Sequence, residues 1–208
     1  MFLAAAGLWA DVGVATAAFV GTNVDNTLVV MAMVAGAPTE RAPRIAAGQV
    51  VGFVVLVAAA LAGAAVLFEF SARVVGLLGL VPLVIGLRGL VMLRPGTGSE
   101  RAGPRPAAAA DRAVGRSLTA AALVTIATGG DNLAVYIPLF RVSGATRLGV
   151  IAVVFALGEV VVTAVVLAGG RHPRARAVMD RFGAVGVPVL LCGVGVLVLA
   201  TAGTFSLL

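Results

Sequence analysis

Six long apolar runs divide the chain, and each is long enough to cross a membrane as a helix. About 20 consecutive apolar residues span the ~30 Å hydrocarbon core of a bilayer. Polar gaps, each of them containing arginine, separate the runs. The pattern therefore predicts six transmembrane helices, at about Val12–Ala35, Ile45–Phe68, Val74–Leu93, Leu118–Phe140, Leu148–Gly169 and Phe182–Thr204.

The chain also repeats itself at an offset of 106 residues. This offset places Asp25 on Asp131 and Thr22 on Thr128, and further Arg, Gly and Pro positions match without a gap. A match of so many polar, Gly and Pro positions at one offset indicates two copies of one unit. Because each unit has three spans, the second must enter the membrane from the opposite side. The predicted fold class is an all-α integral membrane protein of six helices in two inverted three-helix repeats.

The repeats also define the predicted domains. Residues 1–93 form the first three-helix repeat and residues 118–208 form the second. The segment between them, 94–117, is rich in Pro, Gly, Ala and Arg. This composition predicts a disordered linker between the two halves.

Composition and charge place the chain in a bilayer. With 61% hydrophobic and 12% charged residues and a mean hydropathy of +1.11, the chain has too few polar residues to cover a soluble globule. All 15 basic residues are arginines and most lie between the apolar runs, which is membrane topology rather than a nucleic-acid surface. The gaps after spans one, three and five hold 11 arginines and those after spans two and four hold 3. The positive-inside rule then predicts a cytoplasmic linker and two extracytoplasmic termini.

Two acids, Asp25 and Asp131, lie about 13 residues into the first and fourth spans. A carboxylate at bilayer depth costs several kcal/mol unless it is paired, protonated or in a polar cavity, so intramembrane acids are expected to be functional. Helical spacing puts hydroxyl, carboxylate and amide groups on one face in both motifs. Apposed, the two faces would form an all-oxygen cage for a divalent cation. The alternative is a pair of polar clamps between helices. The candidate metal- or substrate-binding residues are Thr22, Asn23, Asp25, Asn26, Thr128, Asp131, Asn132 and Glu159.

Glu159 lies about halfway along the fifth span, and its position in the first repeat is occupied by Phe53. It is predicted to be a third ligand or a proton carrier, and the alternative is a local pairing with Thr163 or Arg88. Arg88 itself either extends to the membrane surface or turns inward to the acids.

Three other features have local interpretations. Gly129 and Gly130 are expected either to loosen the fourth helix, so that backbone carbonyls join the site, or to permit close packing. Cys192 replaces Gly86 of the first repeat, which favours packing over metal ligation. His172 lies in a basic stretch, RHPRAR, predicted to be a loop that meets anionic lipid headgroups.

The strings ATGGDNLAVYIPLF and GTNVDNTLVVMAMV resemble the cadmium resistance transporter family, the CadD-like proteins of the lysine exporter superfamily. The resemblance implies a small efflux protein of the bacterial inner membrane that confers resistance to cadmium and sometimes to other divalent cations. The family's first-span motif ends in two aspartates, where this chain has Asp25 followed by Asn26. The site is thus expected to carry one negative charge fewer than its relatives.

The predicted function is export of divalent heavy-metal cations by alternating access around the paired motifs. No resident cofactor is expected, since the metal is the cargo: cadmium by resemblance, or a manganese- or zinc-type ion, because an all-oxygen cage suits manganese or calcium at least as well as cadmium. Protons are the expected coupling ion, carried by Asp25, Asp131 and Glu159. The lipid bilayer is the other expected partner, no nucleic acid is expected, and homo-oligomerisation stays open.

Two other functions are compatible with parts of the pattern. Export of amino acids or small organic cations is permitted by the superfamily resemblance. An intramembrane aspartyl protease also places two aspartates on two spans. Such proteases use Gly-x-Gly-Asp, however, and this chain has Thr128 where the first glycine would be, so we do not expect an enzyme.

Overall fold

The computed structural model describes residues 2–93 and 118–202, and this part of the chain is helical apart from short turns, with no strand. Three one-turn 3₁₀ segments join helices at Thr39–Arg41, Leu67–Glu69 and Leu77–Gly79. The predicted linker at 94–117 lies outside the described residues. The helices are α1 (Phe2–Ala35), α2 (Ala42–Val66), α3 (Ala72–Gly76), α4 (Leu80–Met92), α5 (Leu118–Thr128), α6 (Gly130–Arg141), α7 (Ala145–Gly169) and α8 (Pro173–Thr201).

Five helical stretches of the described residues are long and apolar enough to cross a membrane, and a sixth crossing results if α5 and α6 are counted as one span. The prediction of an all-helical protein with membrane-spanning helices is therefore confirmed. The fourth span differs from a single straight helix, because α5 and α6 meet at a 64° bend. The sixth helix begins at Pro173, well before the predicted Phe182, so most of the basic stretch predicted as a loop lies on the first turns of α8.

Apolar side chains face both the interior and the outside of the bundle. The interior contains α1, which is the most buried candidate span and packs on α7 and α8. Large aliphatic side chains such as Val54, Val153 and Leu157 remain exposed on the outer faces of α2 and α7. A helix that is apolar all round suits a membrane, where the outer face meets lipid rather than water.

Helices α4 and α8 pack very closely. A Cβ atom added to Gly86 would lie 2.6 Å from the carbonyl oxygen of Pro188 and 2.7 Å from the sulfur of Cys192, and one added to Gly195 would lie 2.7 Å from the backbone nitrogen of Leu83. Only glycine permits this approach. Cys192 thus serves as a packing residue, as the sequence predicted.

Five aromatic rings form a cluster inside the bundle: Phe19, Phe53, Tyr136, Phe140 and Phe155. Phe155 is at its centre, because its ring centroid lies within 4.7–6.0 Å of each of the other four. Rings at these separations attract one another beyond their buried area. The cluster joins α1, α2, α6 and α7 beside the mid-span polar residues.

An arginine ties the loops together at each end of the bundle. At one end Arg171, which follows α7, donates to the carbonyl oxygen of Ala37 after α1 at 2.8 Å. At the other end Arg141 donates to the carbonyl oxygens of Leu67 (2.9 Å) and Phe70 (2.8 Å) after α2. The carbonyl oxygens at these loops thereby gain charged donors.

Candidate functional site

The first predicted motif lies on α1 as an uninterrupted helical segment. Thr22, Asn23, Asn26 and Thr27 are buried, whereas the side chain of Asp25 is exposed. A helix that turns four polar side chains inward in the middle of an apolar span must satisfy them there, because lipid offers no hydrogen bonds. This motif therefore faces a polar interior.

The second motif lies at a break in the helix. Residue Gly129 separates α5 from α6, and a Cβ atom there would overlap a terminal carbon of Leu56, so the break is built around a close approach by α2. Asp131 falls in the first turn of α6, and its Oδ1 accepts a hydrogen bond from the backbone N–H of Asn132 at 2.9 Å. A carboxylate at a helix N-terminus is stabilised by the unpaired N–H groups and the helix dipole.

The structure brings the two motifs together through Tyr136. Its hydroxyl lies 2.8 Å from the Thr22 hydroxyl and accepts a hydrogen bond of 2.8 Å from the Asn23 amide. The Asn132 amide, oriented so that both of its ends are satisfied, donates to the backbone carbonyl of Thr22 at 2.9 Å. The first turns of α6 are thus joined directly to the motif on α1.

A weaker contact joins α5 to the same motif. The Thr128 hydroxyl donates to the Asn26 side-chain oxygen at 3.4 Å, and it also donates to the carbonyl oxygen of Val124 at 2.9 Å. The hydroxyl groups of Thr22 and Thr128 therefore both take part in contacts between helices. These contacts also hold the motifs in register with each other.

The two carboxylates near this junction both keep accessible surface. Asp25 and Asp131 are close enough to interact electrostatically, and Asp131 is half-buried. A Cβ atom added to Gly130, beside Asp131, would meet no atom within 4 Å. Inside, the Asn23 side-chain oxygen is buried without a hydrogen-bond partner among the described residues. Two neighbouring carboxylates and an unpaired amide oxygen are the kinds of ligand that a hard or borderline divalent cation takes.

Glu159 occupies a different position from the paired aspartates. Its Oε1 accepts a hydrogen bond of 3.3 Å from the amide of Gln49 on α2, whose side chain is fully buried. Within residues 2–93 and 118–202 no three His, Cys, Asp or Glu side chains form a group that could hold a metal ion. The hydrogen-bond partner of Glu159 is thus Gln49. The alternative had named Thr163 or Arg88, but the Thr163 hydroxyl has no hydrogen-bond partner among the described residues and Arg88 is exposed on α4.

Sequence reasoning missed two residues of this region, Tyr136 and Gln49. Both carried a signal, since Tyr136 is the only tyrosine of the chain and Gln49 is the only uncharged polar residue of α2. Neither has a polar mate at the repeat offset, so a search for matched pairs did not select them.

The sequence model of one protein family, described as cadmium resistance transporter, matches residues 19–208. The match includes both motifs, the helix break and Tyr136. No curated protein and no solved structure matches the chain.

Proposed function

We propose, because the chain belongs to the cadmium resistance transporter family, that it exports divalent metal cations from a site between Asp25 and Asp131. Membership of the family makes it a multi-pass membrane transporter rather than an enzyme, and cadmium is the family's ion. The single observation that supports this site is the junction of the two motifs, in which Tyr136 and Asn132 join α6 to α1 and Asp25 and Asp131 are close enough to interact electrostatically.

The proposed ion is held mainly by charge. Two carboxylates neutralise a divalent cation, and the side-chain oxygen of Asn23, which is buried without a hydrogen-bond partner among the described residues, is a candidate additional ligand. The break at Gly129 leaves Asp131 in the first turn of a short helix, as in transporters whose discontinuous helices carry the site. An oxygen-only donor set also accepts manganese or zinc, so the range of ions is wider than cadmium alone.

Alternating access is the proposed mechanism, with the two repeats as the moving units. The packing of the helices supports two equivalent units: α1 packs on α7 as α2 packs on the α5–α6 pair, and α4 packs on its own repeat mate, α8. The arginine ties at Arg171 and Arg141 close opposite ends of the bundle. Opening one end at a time requires breaking one tie while the other stays intact.

Proton exchange is the proposed driving force. Two acids that share a site hold protons when the metal is absent and release them when it binds, so the same oxygens exchange metal for protons. We place the protein in the bacterial inner membrane, as the family resemblance implies. Both termini lie outside the cytoplasm in this proposal, because arginines are concentrated in the gaps after spans one, three and five.

The test is metal transport by the full chain in proteoliposomes containing a pH-sensitive dye. We expect cadmium to drive proton flux through the wild type, and Asp25→Asn and Asp131→Asn each to abolish it without lowering the amount of protein in the membrane. Asp180→Asn is the matched control, since it removes an exposed acid of α8 and is expected to have no effect. Proton flux that follows a basic amino acid instead of the metal would refute the proposal in favour of the organic-substrate alternative.

A further inference from the structure

An ion pair joins the two units at one end of the bundle. The Nε atom of Arg147, in the first turn of α7, lies 2.7 Å from Oδ1 of Asp11 on α1. Arg141 and Arg147 flank the short connection between α6 and α7, so the pair lies at the end that we propose to be extracytoplasmic, called the outer end below. The pair therefore links a helix of the first unit to a helix of the second.

The sequence provides for this pair at one end only. At the repeat offset Arg147 corresponds to Arg41, which is exposed, but Asp11 corresponds to Ser117, which carries no charge. The side chains of Arg147 and Asp11 are 35% and 20% exposed. Water and salt reach such a pair, so it opens at a much lower cost than a buried one. A reversible contact at a single end favours one of the two states of an alternating-access mechanism.

The outer part of α1 is more loosely packed than the middle of this helix. None of the residues from Gly7 to Val14 is buried, whereas eight of the ten from Ala18 to Thr27 are. A groove of about 250 Å³ runs between this outer part and α8, and its lining includes the small residues Ala10, Gly13 and Gly193. A Cβ atom added to either glycine would meet no atom within 4 Å. Segments with few buried contacts move at a low cost in free energy, and here the groove gives α1 room to move.

We infer that the Asp11–Arg147 pair is a latch that holds the outer part of α1 against α7 and keeps the outer end of the bundle closed. Its release lets this part of α1 move into the groove beside α8. The inference rests on the alternating access proposed above, in which the site opens to one side at a time. An exporter takes up its ion from the cytoplasm, so a latch at the outer end favours the state that is ready to load.

The test is the rate at which a buried cysteine of the detergent-purified full chain reacts with a maleimide. Ala15 is fully buried and lies one turn from Asp11 on the same face of α1; Ala15→Cys with Cys192→Ala leaves a single thiol. We expect Asp11→Asn and Arg147→Gln each to speed the reaction about two- to fivefold, as for the loss of a partly exposed ion pair. Exchanging the two charges, by Asp11→Arg together with Arg147→Asp, should slow it again. Arg41→Gln is the matched control, because it removes the corresponding arginine of the other unit and should leave the rate unchanged.

Three results would overturn the inference. An unchanged rate in both single variants would mean that the pair does not hold α1 closed. A rate that stays high after the charge exchange would mean that the two side chains act through packing rather than charge. Ala46→Cys serves as a second reporter, because Ala46 is buried near the start of α2, at the opposite end; an equal increase there would assign the effect to general loosening of the bundle. The reaction requires no transport, so a failure of cadmium to drive proton flux would refute the proposed function without deciding this test.

Discussion

Removing the hydroxyl of Tyr136 tests whether the two motifs are held together as the structure shows. The Tyr136→Phe change deletes an atom that lies 2.8 Å from both the Thr22 hydroxyl and the Asn23 amide, and it keeps the ring within the aromatic cluster. Thr22 and Asn23 keep other partners, since they donate to the carbonyl oxygens of Ala18 and Phe19 at 2.9 Å. Neither is then left without a partner, so the cost is that of two interhelical hydrogen bonds.

The magnitude follows from this count. Interhelical hydrogen bonds in membranes contribute ~0.6 kcal/mol each on average, so the loss is about 1.2 kcal/mol. If the whole loss destabilises the metal-bound state, metal affinity decreases about eightfold. If the whole loss destabilises the folded bundle equally with and without metal, the free energy of unfolding decreases by the same amount and metal affinity is unchanged. We expect the loss to appear in affinity, because the two bonds hold α1 next to Asp131.

The assay has two readouts on the same purified protein: cadmium affinity from the concentration dependence of proton flux, and thermal unfolding followed by circular dichroism. Phe140→Leu is the matched control, because Phe140 stacks on Tyr136 but offers no hydrogen bond; it should lower the unfolding temperature and leave affinity nearly unchanged. An affinity in Tyr136→Phe equal to that of the wild type, with an intact bundle, would refute the positioning role. A collapse of the protein would show that the hydroxyl supports the fold.

Three other changes test separate parts of the structure. Gly129→Ala places a methyl group against Leu56 and should destabilise the protein by about 1–3 kcal/mol, whereas the double change with Leu56→Ala should cost less than the sum of the two single changes in urea unfolding. Asn26→Asp restores the second acid of the family motif and should tighten cadmium binding and make it more pH-dependent, since adjacent carboxylates compete for protons and metal alike; identical pH profiles would argue against a ligand at this position. A reporter fused after Leu208 should be active only outside the cytoplasm and one inserted in 94–117 only inside it, and the reverse pattern would invert the proposed direction of export.

Much of the fold follows from hydropathy, because the length of an apolar run is a strong constraint in a membrane. The predicted helices differ from the structure where helix propensity or a tertiary contact, rather than hydropathy, determines the helix boundary. The helix α8 starts at Pro173 because proline is well placed in a first helical turn and the following Arg, Ala and Met residues are good helix formers; charge alone suggested a loop. The break in the fourth span depends on Leu56 of α2 occupying the space beside Gly129, a tertiary contact that local sequence does not reveal.

The candidate site was predictable to the extent that its residues are repeated. The matched motifs led to Asp25 and Asp131, and the structure places them within electrostatic range of each other. Gln49 and Tyr136 could not be found this way, because their roles come from contacts across 110 and more than 110 residues of chain. A lone polar residue in an apolar span was a usable signal for both residues. It was passed over because the search selected polar residues that are matched at the repeat offset.

The two halves of the chain differ at and beside the candidate site. Asp25 belongs to a continuous helix and Asp131 to a broken one, and the repeat positions of Tyr136 and Glu159 are held by Val30 and Phe53. If the two units were identical, the inward- and outward-open states of the proposed mechanism would have equal energies apart from the difference between the two sides of the membrane. Residues without mates remove that equality, because each makes its contacts in only one half. Tyr136 and the Glu159–Gln49 pair would therefore stabilise one of the two states more than the other. The paired aspartates would supply a charge that both states share.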